Sequence, residues 1–360
     1  MGRFSENLFE WYKVHHRKLP WRETANPYEM WVAEIILQQT RVNQGLSYYI
    51  RFLERFPDVA ALADADENEV LKVWQGLGYY SRARNMMKAA RMVMEEFNGS
   101  FPVKYEDLIR LPGVGDYTAS AVSSFAGNEP NPVIDGNVQR VISRIYGIGD
   151  MVNSSGMKKK VMEALEAEMD KRDPGLFNQA IMEFGAVHCV PASPDCVSCI
   201  FSTICFAYSN DKVGELPARK PKKASRDRYF HYIILVSTSE EGEKVLMQKR
   251  VDKDIWAGLW EFPLIEAESP FDVDNRKFRE EVEKITDIRD PELIRSSKWY
   301  KHKLSHQNIH ARFFLVKKVA IFQKKEKKYL LPVNKTDIHE YPTSRLIEQF
   351  MESHPEWFSG

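Results

Sequence analysis

Apolar residues recur every three to four positions along roughly the first two hundred residues, which is the spacing of one face of an α-helix. The clearest of these segments are 8–14, 28–37, 70–74, 86–97, 119–125 and 138–145. Short turn signals that contain proline or glycine separate them, for example at 56–57, 101–102 and 111–113. The pattern predicts an all-α N-terminal domain.

The pattern changes after a segment that has few apolar residues to bury. Residues 216–228 are rich in proline, lysine and arginine, a composition typical of linkers. Beyond them, 229–237, 244–249 and 311–319 carry the β-branched and aromatic residues of strands, and 276–284 has helical spacing. We therefore predict a helical domain over 1–213, a linker over 214–228 and an α+β domain over 229–360.

The overall composition is that of an ordinary globular protein of two domains. The chain has 360 residues, of which 43% are hydrophobic and 28% are charged. An apolar run such as Tyr232–Val236 is far shorter than the ~20 residues that span a bilayer. Residues 1–10 carry acids among their apolar positions and no cleavage-like site. We therefore expect a cytoplasmic protein without a membrane partner, and we expect a monomer.

The charge balance excludes only one simple class of nucleic-acid binder. Lysine plus arginine and aspartate plus glutamate both number 51, so the formal net charge is zero and the chain is not polycationic. DNA binding needs only local basic patches, for which 158–160, 219–228 and 324–328 are candidates. An ordinary solvated lysine surface is the alternative interpretation of each.

All four cysteines lie in one window of 17 residues, at Cys189, Cys196, Cys199 and Cys205. Four ligands on one short loop suit a metal centre, because loop closure between neighbouring ligands is then cheap. Two disulfides would instead suit a small secreted domain. A zinc site normally shows two short cysteine pairs, whereas this window has one, and a [4Fe–4S] cluster also takes four thiolates. Spacing alone leaves zinc and iron–sulfur open.

Residues 111–119, L-P-G-V-G-D-Y-T-A, join two predicted helices. Gly113 and Gly115 flank Val114 and permit a tight turn with close backbone approach to a ligand. The free N–H groups at the start of the next helix suit a phosphate, although a plain packing corner between helices is the alternative. The segment resembles the helix-hairpin-helix of the DNA glycosylase superfamily, and with the cysteines it resembles the iron–sulfur branch that includes endonuclease III. That resemblance implies a [4Fe–4S] cluster on the four cysteines and DNA contacts at 113–115.

Two carboxylates lie in settings that suit glycosylase chemistry, which needs an acid for the leaving base and an anion for the cationic sugar. Glu34 falls in a largely apolar helical stretch, where desolvation would raise its pKa. Asp135 comes just before a predicted helix, whose N–H groups and dipole would keep it ionised. The alternatives are a solvated helix glutamate and an ordinary N-cap aspartate.

Four motifs together resemble the adenine DNA glycosylase family of the MutY type. They are L-P-W-R at 19–22, V-A-E through L-Q-Q-T at 32–40, G-L-G-Y-Y-S-R at 76–82 and D-G-N-V at 135–138. The resemblance implies that Glu34 protonates adenine at N7, that Asp135 stabilises the cationic or covalently trapped sugar, and that Asn137 supports both groups. It also implies contacts with the DNA around the extruded base. These contacts would come from Gln39, Thr40 and Tyr79.

Tyr117, which we count with the catalytic residues, occupies the hairpin position where endonuclease III-like enzymes place a lysine. That lysine attacks the sugar as an amine and permits strand cleavage through a Schiff base. A tyrosine cannot form an imine, so the resemblance implies a monofunctional glycosylase that leaves an abasic site. Gln139 agrees, because some relatives carry a substrate-trapping lysine there.

The region from about 229 onward resembles the Nudix-like recognition domain of the same family. A Nudix hydrolase needs a G-x5-E-x7-R-E-U-x-E-E-x-G-U box, and the nearest stretch, 279–283, lacks the spaced Gly and Glu before it and the Gly after it. The resemblance therefore implies binding without hydrolysis. In the family a Phe-Ser-His loop senses 8-oxoguanine; Ser305 and His306 match it, but Leu304 replaces the aromatic residue. His302, His306 and His310 also permit a metal-site interpretation.

Taken together, the sequence predicts an all-α helix-hairpin-helix glycosylase domain, with a [4Fe–4S] loop at 189–205, followed by an α+β Nudix-like domain. The expected activity is removal of adenine opposite 8-oxoguanine or guanine from double-stranded DNA of a bacterial-type chromosome. Three alternatives remain. They are a bifunctional glycosylase/lyase for oxidised pyrimidines, a non-catalytic lesion-binding protein, and a nucleotide diphosphate hydrolase.

Overall fold

The computed structural model describes residues 3–218, 224–239, 242–251, 253–270, 276–286, 292–318 and 330–358. The chain forms two compact units. The first comprises Met1–Asp64 and Asn85–Pro221, and the second comprises Ala65–Arg84 and Lys222–Gly360. The division near 221 falls within the linker proposed from the sequence. However, Ala65–Arg84, which the sequence analysis assigned to the helical domain, groups with the second unit.

The N-terminal region is helical, as the apolar spacing predicts. Its helices are α1 (Arg3–His15), α2 (Pro20–Glu23), α3 (Pro27–Leu37), α4 (Val42–Arg55), α5 (Val59–Asp64), α6 (Glu67–Val73), α7 (Ser81–Glu96), α8 (Tyr105–Leu108), α9 (Asp116–Gly127), α10 (Gly136–Tyr146), α11 (Ser155–Glu168), α12 (Pro174–Val187) and α13 (Phe206–Ser209). Of these, α6 and the first residues of α7 belong to the second unit. Within the described residues, no helix combines the length and apolar character needed to cross a bilayer.

Large apolar side chains from α1, α10, α11 and α12 form a core of the first unit. Trp11 and Ile142 come from two of the stripes that the sequence identified, and Phe184 contributes from α12. Trp11 packs edge-on against Phe184, with ring centroids 5.0 Å apart. Partly buried Cys189, Cys199 and Cys205 pack on the same core. The core therefore holds the cysteine loop next to α10 and α12.

The second unit contains a sheet of eight described strands. They are β1 (Arg226–Ser239), β2 (Gly242–Lys249), β3 (Trp260–Glu261), β4 (Leu264–Ala267), β5 (Glu292–Ser296), β6 (Tyr300–Lys303), β7 (Gln307–Lys318) and β8 (Leu330–Asn334). Two helices, α14 (Arg276–Thr286) and α15 (Arg345–Ser353), and short 3-10 turns at Lys335–Glu340 and Pro355–Trp357 accompany the sheet. The predicted class, an all-α domain followed by an α+β domain, is confirmed.

β1 and β7 form the parallel centre of this sheet, and the other pairings are antiparallel. The main path runs β3-β2-β1-β7-β5, with β4 beside β1, β6 beside β7 and β8 beside β2. Successive residues of β1 face opposite sides, so Tyr232 joins a core with Phe350 of α15, whereas Ile233 joins a core with Val282 of α14. Both faces of the strand are thus buried.

The predicted linker needs correction, and one predicted basic patch lies outside the described part of the chain. β1 begins at Arg226, inside the predicted linker, because Arg228 is buried and ion-paired with Asp254 and Glu266 at 2.7 and 2.6 Å. The basic run therefore contains a strand residue and is not wholly a solvated connection. The candidate basic patch at 324–328 lies outside the described residues.

Candidate active site

A cavity of about 190 Å³ in the first unit is lined by residues that the sequence marked as catalytic. These are Glu34, Tyr117, Asp135 and Asn137, and Thr40 lines it as well. Three helices supply the catalytic side chains: α3 carries Glu34, the first turn of α9 carries Tyr117, and the start of α10 carries Asp135 and Asn137. Two carboxyls, a phenol and an amide thus converge on one space.

Glu34 is held in its neutral form to an unusual extent. Only 6% of the residue is exposed, because the rest of α3 is largely apolar and packed. Burial raises the pKa of Glu34 to about 7, and the nearby charge of Asp135 acts in the same direction. The Tyr117 hydroxyl donates a 2.6 Å hydrogen bond to Oε2, which opposes the rise in pKa without cancelling it. Near neutral pH this carboxyl can therefore give up a proton.

Asp135 caps α10, as its position before the helix predicted. Its Oδ1 accepts a hydrogen bond from the Val138 N–H at 2.7 Å, and its Oδ2 accepts one from Asn137 Nδ2 at 2.8 Å. Contacts of this kind, which the position before a helix predicts, lower the pKa of Asp135. Burial acts more strongly, and the net effect is a pKa above the ordinary value. The direction of the shift therefore differs from the one that an N-cap argument gives alone.

Asn137 has a fixed amide orientation, because Arg140 holds its oxygen. Arg140 Nη2 donates to Asn137 Oδ1 at 2.9 Å, which leaves the amide nitrogen to donate to Asp135. The same guanidinium donates to the backbone oxygens of Gly185 at 2.6 Å and Cys189 at 2.8 Å. Asn137 therefore positions Asp135, and Arg140 ties this pair to the chain next to the cysteine loop.

Four further polar residues, for which the sequence predicted no role, line the cavity: Arg17, Arg22, Gln179 and Glu183. Glu183 has no exposed side-chain surface and accepts a paired contact from Arg17, with both bonds 2.7 Å long, and another 2.7 Å bond from Arg22. Burial alone would raise the pKa of Glu183, but these hydrogen bonds outweigh it and lower the pKa to about 2. The sequence signal was a lone glutamate in the apolar α12, the same signal that marked Glu34.

The four cysteines line a second cavity of the first unit, together with Arg144 and His188. Arg144 Nη1 donates to Cys189 Sγ at 3.3 Å, and the Phe201 N–H donates to Cys199 Sγ at 3.4 Å. Burial raises the pKa of Cys196, Cys205 and Cys199, the last to about 11, so these thiols need a bound cation to ionise at neutral pH.

Two further observations bear on what this cavity holds. Nε2 of His188 is buried and has no hydrogen-bond partner among the described residues. Among those residues, no three His, Cys, Asp or Glu side chains lie close enough together to hold one metal ion. The set of four thiols around a shared space, with N–H donors aimed at two sulfurs, nevertheless fits the ligand requirement of an iron–sulfur cluster.

Comparison with known proteins agrees with the cavity chemistry. Residues 32–168 match the HhH-GPD superfamily of base excision DNA repair proteins, and 233–353 match the NUDIX domain. The adenine DNA glycosylase of Buchnera aphidicola subsp. Baizongia pistaciae is 32% identical over 343 residues, which is 94% of each chain. That of Mus musculus is 36% identical over 313 residues, covering 74% of this chain and 61% of its own. The chain belongs to the adenine DNA glycosylase family.

Solved structures agree with this assignment at the level of the fold. A thermostable thymine-DNA glycosylase has a TM-score of 0.52 at 27% identity, covering 57% of this chain and 95% of its own. An endonuclease III–DNA complex has a TM-score of 0.50 at 24% identity, covering 57% of this chain and 94% of its own. Together with the sequence relatives, these matches place the chain among the DNA glycosylases of base excision repair, as the motifs predicted.

The residues predicted to contact DNA occupy unusual backbone conformations in several cases. Gln39 and Tyr79 have φ angles of 59° and 49°, in the left-handed region that side chains other than glycine rarely adopt. Gly113 has a φ angle of 82°, and a Cβ there would lie 2.7 Å from Asn85 Cβ, so only glycine fits. The Val114 side chain is buried, so its predicted DNA contact is restricted to the backbone. Gly115 is the N-cap of α9 and leaves the helix start open.

In the second unit, Ser305 and His306 are exposed at the turn between β6 and β7. The Ser305 hydroxyl lies 2.6 Å from the Tyr79 hydroxyl, so two predicted DNA contacts meet. Leu304 instead packs against the buried core, and this contact explains why an aliphatic residue suits the position. His310 bonds Asp227 at 2.9 Å and His302 packs against Trp256, so the three-histidine metal interpretation gains no support.

Proposed function

We propose that this glycosylase removes adenine paired with 8-oxoguanine or guanine in double-stranded DNA, by hydrolysis and without cutting the strand. The observation that carries the proposal is the pair of carboxyls in one cavity, with Glu34 at a pKa of about 7 beside Tyr117 and Asp135. A phenol at this position supplies no amine for a Schiff base. The proposed partner is chromosomal DNA in the cytoplasm, bound by one copy of the chain.

The proposed reaction begins with proton transfer from the Glu34 carboxyl to N7 of adenine. The bond between C1′ and N9 then breaks, and both of its electrons leave with the base. Asp135 faces the cationic sugar, where a fixed negative charge is most valuable in a dry site. Water adds at C1′ and returns one proton to a carboxylate, so the products are free adenine and an abasic site. The Asn137 contact with Asp135 would keep that carboxylate in place.

The side chains of Arg17, Arg22, Gln179 and Glu183 would form the polar wall of the adenine site. Adenine presents donors and acceptors on its edges, and these groups supply both kinds. Tyr12 donates to Gln179 Oε1 at 3.1 Å, and the Glu183 carboxylate is held by Arg17 and Arg22. We expect these contacts to keep the wall rigid before adenine enters, which lowers the ordering cost of binding.

Ser305 and His306 would recognise the base opposite adenine. A hydroxyl and an imidazole both form hydrogen bonds with base edges, and both side chains are exposed in the second unit. We expect base release from the 8-oxoguanine pair to exceed release from the thymine pair by about 10–100-fold, which is the worth of one good base-edge contact. The guanine pair should lie between them.

The paired-substrate assay measures adenine release under single turnover from duplexes that differ only in the base opposite adenine. Borohydride is added to a parallel reaction, where wild-type protein should give no covalent complex and Tyr117→Lys should give one. Trapping of wild-type protein on oxidised-pyrimidine DNA would favour the lyase alternative. Tight binding without release from any duplex would favour the lesion-binding alternative.

We further propose that Cys189, Cys196, Cys199 and Cys205 hold a [4Fe–4S] cluster. The shared cavity and the N–H donors to two of the sulfurs support it. When bound, the cluster closes its loop through four iron–sulfur bonds and supplies a one-electron couple. Arg144 also donates to the backbone oxygens of Val190 at 2.8 Å and Pro191 at 3.2 Å, which would hold the loop around it.

Anaerobically purified protein is expected to be brown and to contain about four iron atoms per chain. Cys199→Ser removes one thiolate and should lower the iron content and the visible absorbance together. Ser202→Ala changes a residue that lines the same cavity without removing a thiol, and should retain both signals. Colourless protein that contains zinc would contradict the cluster assignment.

A further inference from the structure

The segment Ala65–Arg84, here called the α6 segment, belongs to the same compact unit as the sheet. Polar contacts with strands and loops beyond residue 240 occur along its length. At the start of the segment, Trp260 Nε1 donates to Asn68 Oδ1 at 3.1 Å, and Lys249 Nζ lies 3.4 Å from Glu67 Oε1. Further along, Lys72 donates to the backbone oxygen of His339, and Arg84 donates to that of Ala257. The Tyr79 and Ser305 hydroxyls lie 2.6 Å apart. The segment that carries Tyr79 is therefore docked on the sheet and loops of the second unit.

Trp260 is well placed to anchor this docking. It lies on β3 and pairs with Lys249 of β2, and its backbone N–H donates to Pro342 O at 2.8 Å. Its ring packs edge-on against Tyr341, with centroids 5.1 Å apart. The indole is thus fixed by the sheet on one side, and its N–H reaches Asn68 in the first turn of α6 on the other.

The turn that displays Tyr79 is braced from within the α6 segment. The Gly78 backbone oxygen accepts hydrogen bonds from Trp74 Nε1 at 3.1 Å and from Arg82 Nη2 at 3.2 Å. The Tyr80 hydroxyl accepts the Gly76 N–H at 3.2 Å. Gly78 has a φ angle of 74°, which suits the tight turn. Because the turn is tied to Trp74 at the end of α6, the position of Tyr79 follows the position of that helix.

We propose that Trp260 and Asn68 are positioning residues for reading the base opposite adenine. Their hydrogen bond contributes to holding the α6 segment on the sheet, and so to keeping the Tyr79 and Ser305 hydroxyls together as one reading surface. Neither residue lines the cavity that contains Glu34 and Asp135. Loosening the bond should therefore weaken discrimination between opposite bases and leave the bond-breaking step unchanged. This inference rests on the proposed function.

The test compares single-turnover adenine release opposite 8-oxoguanine with release opposite guanine. Trp260→Phe removes the indole donor and keeps an aromatic ring against Tyr341, and Asn68→Leu removes the acceptor. Each should lower the ratio of the two rates about fivefold, the loss typical of one hydrogen bond. The double variant should lose no more than the larger single loss, because both changes remove the same bond.

Two control variants separate this role from a general structural one. Asn68→Asp keeps an acceptor for the indole, and Trp299→Phe removes the N–H of an exposed tryptophan elsewhere in the unit; both should retain the wild-type ratio. All variants should keep the wild-type pH dependence of release, and the two control variants should also keep the wild-type unfolding temperature. Asn68→Leu tests the bond from the helix side if Trp260→Phe fails to fold.

An unchanged ratio in both single variants would overturn the inference, as would equal losses on both duplexes or additive losses in the double variant. The failure of the proposed function would look different. In that case wild-type protein itself would show no preference for the 8-oxoguanine pair, or would release no adenine. A wild-type preference that survives in every variant refutes only the role of Trp260 and Asn68.

Discussion

Glu34→Gln is expected to slow adenine release by about 10²–10⁴-fold, the usual contribution of a general acid. Glutamine has the shape of glutamic acid but has no proton to transfer to the base. Its side-chain oxygen can still accept the Tyr117 hydroxyl, so the cavity should keep its geometry. The measurement is the single-turnover rate with the 8-oxoguanine duplex, accompanied by the dissociation constant, which should change little. Release at the wild-type rate would remove Glu34 from the mechanism.

The direction in which the rate of adenine release changes with pH tests whether Glu34 acts as the acid. The pKa of Glu34 is about 7 and the protonated form is the active one, so the wild-type rate should fall about tenfold per pH unit above 7. Tyr117→Phe removes a hydrogen bond that lowers this pKa, so the fall should move to higher pH. The residual rate of Glu34→Gln should lack this dependence. A wild-type rate that rises through pH 7 would contradict the assignment.

Unfolding measurements provide the control for Glu34→Gln. A carboxyl whose pKa is raised on folding destabilises the fold progressively as pH rises from about 4.5 to about 7. In this range the carboxyl ionises in the unfolded chain, whereas burial keeps it protonated in the folded protein. The glutamine variant carries no such charge. At pH 8 its free energy of unfolding should therefore exceed that of wild type by roughly 1–3 kcal/mol, and this difference should vanish near pH 4. Its low activity would then not come from unfolding.

Glu183→Ala is expected to lower the free energy of unfolding by about 3–5 kcal/mol, which is typical of breaking a buried ion pair from one side. The carboxylate is fully buried, and its removal would leave Arg17 and Arg22 without the charge that compensates them. Urea unfolding at pH 7 measures the loss. Glu10→Ala, which breaks an exposed pair with Lys13 on α1, is the control and should change stability by less than about 1 kcal/mol.

The effect of Glu183 should fade in acid. Its pKa is about 2 in the folded protein against 4.5 ordinarily, so its stabilisation is complete above pH 4.5 and disappears as pH falls through about 2. The difference between wild type and Glu183→Ala should narrow across this window. A constant difference from pH 7 to pH 2 would show that packing, and not charge pairing, is responsible.

The sequence predicted part of the site because some of its signals are local. Glu34 stands out as a carboxyl within an apolar helix, and Asp135 stands out as a residue that begins one. Glu183 carries the first of these signals too, but its partners Arg17 and Arg22 lie about 160 residues away in the chain, so its role depends on packing. The rise in the pKa of Asp135 has the same origin, since burial is a property of the folded unit.

Long-range packing also explains where the structure differs from the predicted boundaries. The α6 segment has the apolar spacing of the other helices, and its sequence does not reveal that Trp260 and Ser305 are its partners. Arg228 looks like part of a solvated basic run, and only the distant Asp254 and Glu266 turn it into a buried strand residue. Periodicity predicts which elements form, whereas the burial of Arg228 depends on charged partners that lie far away in the chain.

The parallel pairing of β1 with β7 has a consequence for the order in which the chain assembles. Arg226 pairs with Gln307, so about 80 residues must be synthesised after β1 begins before the centre of the sheet can close. The α6 segment leaves the ribosome much earlier, yet its partners Trp260 and Ser305 are made late. During synthesis its docking contacts are therefore unmade, and the nascent chain carries Tyr79 without Ser305 until the sheet closes.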